Sequence, residues 1–160
     1  MLRNTDYFEE LRMRREFFHD NFPVKIGLQR NDVNSFDVLK NSCPVCGYLT
    51  LDERSVYDIC LICFWEDDGD DDFESERISG PNHMTLTEGR NLFLKIKEKL
   101  LKSDFQSDDI RAVLKNKIVV LDNLILDNRS DEKERILKIQ HEILELLRLN
   151  EIYGINALFR

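Results

Sequence analysis

Four cysteines stand in two pairs, Cys43/Cys46 and Cys60/Cys63, in the pattern C-x2-C-x13-C-x2-C. Two residues between cysteines let one tight turn present two thiolates, and two such turns complete the four-sulfur tetrahedron that zinc prefers. Thirteen residues between the pairs suit a short hairpin that returns the second turn to the first. The first turn, Cys43-Pro44-Val45-Cys46-Gly47, is stiffened by its proline, and Gly47 can take the positive φ that lets backbone N–H groups face sulfur. The second, Cys60-Leu61-Ile62-Cys63-Phe64-Trp65, lacks that glycine but carries two aromatic residues to shield a metal. The spacing therefore predicts one zinc ion held by Cys43, Cys46, Cys60 and Cys63. Four thiolates leave no open coordination position, so the expected role is structural. The alternative is thiol–disulfide chemistry, because CPVC alone has the form of a glutaredoxin-like motif. That chemistry needs a low-pKa cysteine at a strand–helix junction, and the flanks here read as hairpin. A reducing cytoplasm, the expected compartment, also disfavours disulfides.

The second concentration of chemistry is acidic. Residues 66–76, EDDGDDDFESE, hold eight acids and no base. The chain has 31 acids and 23 bases, so this one segment accounts for the whole net charge of −8. Three uses are open to it: a solvated loop, a surface for a basic protein partner built from Glu66, Asp67, Asp68, Asp70, Asp71 and Asp72, or a carboxylate site for a second cation. Phosphate recognition needs concentrated basic surface, which is absent, so no nucleic-acid partner is expected. No apolar run reaches the length of a membrane span, and the first residues lack a secretory signal. His83 follows a Gly80-Pro81-Asn82 turn and could act as a base with the nearby carboxylates; His19 and His141 fall on predicted helices without a paired motif. Arg90 and Asn91 could tie their helix to the acidic loop.

The elements that must position these groups are mostly helical. Residues 4–20 form a predicted helix with Tyr7, Phe8, Leu11 and Phe18 on one face. Pro23 and Gly27 mark its exit, and 28–42 reads as a connector. Short strands are predicted at Tyr48–Leu51 and Ser55–Ile59. Thr85-Leu86-Thr87-Glu88 has the form of a capping box, and the helix it opens runs to about Ser103 with Leu86, Gly89, Phe93, Ile96 and Leu100 on one face. Gly89 on that face permits close approach of another backbone. A further helix spans about Ser107 to Leu126; its 3.6-residue period outweighs the β-branched run Ile118–Leu121. After a break at Asn128–Asp131, a last helix runs to about Glu151, giving a C-terminal αα-hairpin. Off-stripe apolar residues Val119, Val120, Leu137 and Leu144 suggest an interface. The expected fold is α+β and helix-rich: a small zinc-ribbon-like β-hairpin module with flanking helices. The expected division is 1–42, helix and connector; 43–103, zinc module and following helix; 104–160, helical hairpin.

Residues 43 to about 93 resemble the bacterial cysteine-rich CPCC domain family, through CPVCGYLTLDE, YDICLICFWEDD, SGPNHMTL and the following E-G-R-N-L-F. The chain has Val45 where the family places an extra cysteine. Both outer cysteines remain, so the resemblance implies the same zinc-ribbon-like module. From the residues, the expected function is a cytoplasmic, zinc-binding protein-interaction module. One concrete form would be an immunity protein that neutralises a basic bacterial toxin through the acidic surface. The alternative is a metal-dependent hydrolase using the segment after Trp65 together with His83.

Overall fold

A computed structural model describes residues 4–22 and 41–160. Among the described residues there are four helices: α1 (Asn4–Asn21), α2 (Leu86–Lys102), α3 (Ile110–Leu126) and α4 (Lys133–Leu149). Among the described residues the sheet is one antiparallel pair, β1 (Asn41–Ser42) with β2 (Leu49–Leu51). The fold is α+β and helix-rich, with a two-stranded hairpin beside the cysteines. The predicted connector lies mostly outside the described residues, as do the side chain of Tyr7 and the helix exit predicted at Pro23 and Gly27.

The helices form where the apolar period and the caps place them. Thr85 Oγ1 accepts the Glu88 N–H at 3.1 Å, and the Glu88 carboxylate accepts the Thr85 N–H at 2.8 Å, so two of the orphan donors at the start of α2 are satisfied. The helix ends at Ser103. Leu86, Gly89, Phe93 and Leu100 face inward, as the period predicts. Asp109 caps α3 by accepting the Arg111 N–H at 2.9 Å, so this helix starts slightly later than the period suggests. The run Ile118–Leu121 is helical. A six-residue connector joins α3 to α4, and Lys117 of α3 pairs with Glu142 of α4 at 2.6 Å. Val119 and Val120 remain partly exposed, whereas Leu144 is buried.

One predicted strand is absent. Residues 55–59 do not pair with Tyr48–Leu51; β2 pairs instead with Asn41–Ser42, ahead of the first cysteine. Ser55 and Tyr57 both have φ of 66°, which breaks an extended run. Two carboxylates hold the loop. Asp58 accepts the N–H groups of Asp52 and Glu53, at 2.9 and 3.0 Å, and Asp67 accepts that of Ser55 at 2.8 Å.

A single apolar core links all parts. Val45, Tyr48, Ile62 and Trp65 from the cysteine segment are buried with Phe17, Phe18, Phe93, Leu114, Ile125 and Ile143 from the helices. Gly89 is required by close packing: a Cβ there would lie 2.9 Å from Cζ3 of Trp65. The close approach predicted at Gly89 is thus made by an indole ring rather than by another backbone. The chain then returns to the cysteines. Gly154 and Ile155 donate their N–H groups to the carbonyls of Leu61 and Ile62, at 2.9 and 2.8 Å, and dock the C-terminal tail onto the second turn. Among the described residues no helix is long and apolar enough to cross a membrane.

Candidate metal centre

The two Cys-x-x-Cys turns are built alike. The Gly47 N–H donates to the Cys43 carbonyl at 2.9 Å, and Cys43 N–H to the Tyr48 carbonyl at 2.9 Å. The Phe64 N–H donates to the Cys60 carbonyl at 2.7 Å, and Cys60 N–H to the Trp65 carbonyl at 2.8 Å. This geometry needs a positive φ at the residue after the second cysteine. Gly47 supplies it at 79°, and Phe64 adopts 66° where the second turn has no glycine. Tyr48 and Trp65 thus hold equivalent places, and both are buried.

The turns bring all four sulfurs to within 4.8 Å of one another. Cys43 Sγ lies 3.6 Å from Cys63 Sγ, and Cys46 Sγ lies 3.6 Å from Cys60 Sγ. Sulfurs bound at ~2.3 Å around a tetrahedral zinc stand about 3.8 Å apart, so the arrangement fits that ion. Donors to sulfur complete the site: Thr50 Oγ1 to Cys60 at 3.1 Å, and the N–H groups of Val45 and Cys63 to Cys43 and Cys60, each at 3.4 Å. Burial pushes the Cys46 and Cys63 thiols up. Burial acts the same way on Cys60, but hydrogen bonds from the other three cysteines and Thr50 hold it well down. A buried cluster of four thiolates needs a cation to offset their charge, and a divalent metal provides one. The thiol-exchange alternative fits poorly, because Cys43 is fully buried and is followed by a turn rather than a helix.

The acidic segment is largely neutralised from within. Asp67, fully buried, receives Arg54 Nε at 2.7 Å and the Ser55 N–H. Asp70, also buried, pairs with Arg77. Asp71 binds Arg15 at 2.9 Å and Arg54 at 3.2 Å. Asp72 binds Arg90 at 2.7 Å and Arg15 at 3.3 Å. Asp68 accepts the Ser79 hydroxyl at 2.8 Å. Arg90 also donates Nε to the Pro44 carbonyl at 2.9 Å, so it ties α2 both to the acidic loop and to the first cysteine turn. Asp71 and Asp72 clamp the cysteine module to α1 and α2. Glu66 alone of the eight acids has a carboxylate with no partner among the described residues.

Burial pushes Asp71 up, but the adjacent Arg15 charge and its hydrogen bonds, with help from the Asp72 N–H and Arg54, hold it below the ordinary carboxylate range. A lowered folded pKa contributes stability that is present above the unfolded value and lost as pH falls through the folded one. Asp71→Asn should therefore cost about 1 kcal/mol, discounted for partial exposure. Urea midpoints should show that cost unchanged between about pH 5.5 and 8; a cost that varies within this window would contradict the pairing.

His83 is exposed at a turn with φ of 55°, and His19 and His141 are exposed on helices. Among the described residues the cysteines are the only group of three or more potential ligands close enough to hold a metal. The carboxylates after Trp65 and His83 do not converge as a hydrolytic metal site would require.

Sequence reasoning missed a buried polar cluster. Asp122 of α3 accepts the Tyr48 hydroxyl at 2.6 Å and pairs with Lys97 of α2 at 2.5 Å. Arg14 of α1, fully buried, lies 3.8 Å from Asp122, donates Nε to the Cys46 carbonyl at 3.0 Å, and stacks over the Tyr48 ring at 4.8 Å. Glu10 approaches both cations, at 3.3 and 3.7 Å. Burial, reinforced by Arg14, lowers the Lys97 pKa, and burial with the Asp122 charge raises that of Tyr48. The signal was present in the helical period, since Arg14, Lys97 and Asp122 all occupy positions on inward stripes.

Residues 41–98 match the family model described as Cysteine-rich CPCC. No curated protein and no solved structure matches the chain.

Proposed function

We propose that the cysteine-rich CPCC domain over residues 41–98 holds one structural zinc ion, and that the protein it organises is a protein-interaction module for a basic partner. The observation that carries the zinc reading is the convergence of four sulfurs within 4.8 Å, three of them from fully buried residues. Soft thiolate ligands in a closed tetrahedral set favour zinc over hard cations. Zinc here cross-links two turns separated by thirteen residues and so sets the surface that the second turn presents. The interaction reading is supported by the net charge of −8 and by exposed Ile59, Phe64 and Leu92, large apolar residues beside the metal module.

Elemental analysis of protein purified without added metal should find one zinc per chain. X-ray absorption should show four sulfur neighbours at about 2.3 Å. Oxygen or nitrogen in the first shell, or two metals per chain, would overturn the closed four-thiolate site.

A further inference from the structure

The four cysteines are not equally protected. Cys43, Cys46 and Cys60 are fully buried, whereas Cys63 is half-buried. Of the four, Cys63 alone lines a cavity of about 220 Å³. This cavity lies between the second cysteine turn, the Pro81–Asn82 turn, α2 and the C-terminal tail beside Trp65. Ile59, Phe64 and Leu92 also line it and are each 45–47% exposed, so its mouth reaches solvent.

The sulfurs also differ in what holds them. Cys43 Sγ accepts the Val45 N–H, and Cys60 Sγ accepts the Thr50 hydroxyl and the Cys63 N–H. Among the described residues no N–H or hydroxyl donates to Cys63 Sγ, whose one sulfur neighbour at hydrogen-bond distance is Cys43 at 3.6 Å. Hydrogen bonds stabilise a thiolate and blunt its attack. Cys63 therefore combines the freest lone pairs with the open approach, while the fully buried cysteines react only when the fold opens locally. The cavity selects the reagent. It admits a molecule of a few atoms, and the Glu66 carboxylate in its lining disfavours an anion. Hydrogen peroxide is small, uncharged and reactive toward thiolates.

We propose that Cys63 is the site at which peroxide oxidises the metal centre, and that Cys43 then joins it in a disulfide that links the two turns and releases the zinc. The proposal rests on the four-thiolate zinc reading and adds a reactive position to it. In the first step the Cys63 thiolate attacks one peroxide oxygen. An S–O bond forms, the O–O bond breaks, and the second oxygen leaves as hydroxide, so sulfur is oxidised to a sulfenic acid. In the second step the Cys43 thiolate attacks the Cys63 sulfur. The S–S bond forms, the S–O bond breaks, and hydroxide leaves. Two protons from solvent convert both hydroxides to water. One peroxide thus takes two electrons from two thiolates, and the two remaining sulfurs are too few to close the metal site.

The test uses the zinc-loaded full chain. After a limiting dose of N-ethylmaleimide, the singly labelled chains should carry the label on Cys63 about tenfold or more over any other cysteine. Equimolar hydrogen peroxide should release zinc, read with a chromogenic indicator, and should join tryptic peptides 41–54 and 55–77. The first peptide holds Cys43 and Cys46 and the second Cys60 and Cys63, so a disulfide within either turn leaves them separate. Fragmentation should place the bond between Cys43 and Cys63. Leu92→Trp, which narrows the mouth, should slow both reactions several-fold at unchanged zinc content; if that variant does not retain zinc, Ile59→Trp serves at the same mouth. Equal labelling of the four cysteines, disulfides confined within the turns, or narrowed variants that react as fast as the unmodified chain would overturn the proposal and leave the zinc reading standing. A purified chain that binds no zinc would overturn both.

Discussion

Removal of the metal is expected to unfold the cysteine segment and to disrupt the helices that share its core. A structural zinc contributes about 10 kcal/mol or more of binding energy at neutral pH, which is comparable to the whole stability of an ordinary domain. The cysteine module has little else of its own. Its sheet is one pair of strands of two and three residues, and its buried side chains are completed only by residues from the helices and tail. Cys60→Ser is the sharpest variant, because Cys60 is fully buried and receives both the Thr50 hydroxyl and the Cys63 N–H. The expected results are lost zinc, a red shift of Trp65 emission and a fall in helical circular dichroism, with chelator treatment of the unmodified chain giving the same changes. The helical signal should fall because Tyr48 and Trp65 pack against Phe93 and Gly89 of α2. A Cys60→Ser protein that stays folded and metal-loaded would refute the four-thiolate centre. A chain whose helices survive chelation unchanged would refute the shared core.

The second large effect should come from Asp122. This carboxylate stands between Lys97 and Arg14 and accepts the Tyr48 hydroxyl. Two cations and two anions balance here, counting the half-buried Glu10 at the edge of the cluster. Removing one partner of a buried pair leaves uncompensated charge and costs about 3–5 kcal/mol, whereas removing both partners costs far less. Asp122→Ala should therefore lower the urea midpoint strongly, and adding Lys97→Met should recover part of the loss. A double-mutant cycle should give a coupling of about 1–3 kcal/mol. A cost below about 1 kcal/mol for Asp122→Ala would mean that the cations reach water, contrary to their burial. Because Arg14 also holds the Cys46 carbonyl, zinc affinity should fall together with stability. That joint loss would separate this cluster from an ordinary ion pair far from the metal.

The two pairs of cysteines announced a four-sulfur site because each pair lies within one tight turn, and turn geometry depends on residues that are neighbours along the chain. Capping at Thr85–Glu88 and the inward stripes of α2, α3 and α4 were legible for the same reason: they are local patterns of hydrogen bonding and burial. The resemblance over residues 43 to about 93 agrees with the family match over 41–98.

What the chain order could not disclose is which distant groups meet. Composition made the acidic run look like free charge. Folding brings Arg15 and Arg90 to it from two different helices and Arg54 from the loop between the cysteine pairs. Strand pairing escaped prediction because β1 and β2 bracket the first turn, while carboxylates from residues 58 and 67 hold the loop assigned to the second strand. The tail at Gly154–Ile155 closes on a turn more than ninety residues earlier in the chain. Thus the ligands and helices follow from short-range spacing and periodicity, while the pairing of charges, the buried Asp122 cluster and the cavity beside Trp65 exist only once remote segments are packed together. The physical reason is that Coulombic and apolar contacts depend on distance through space, which spacing along the chain does not set.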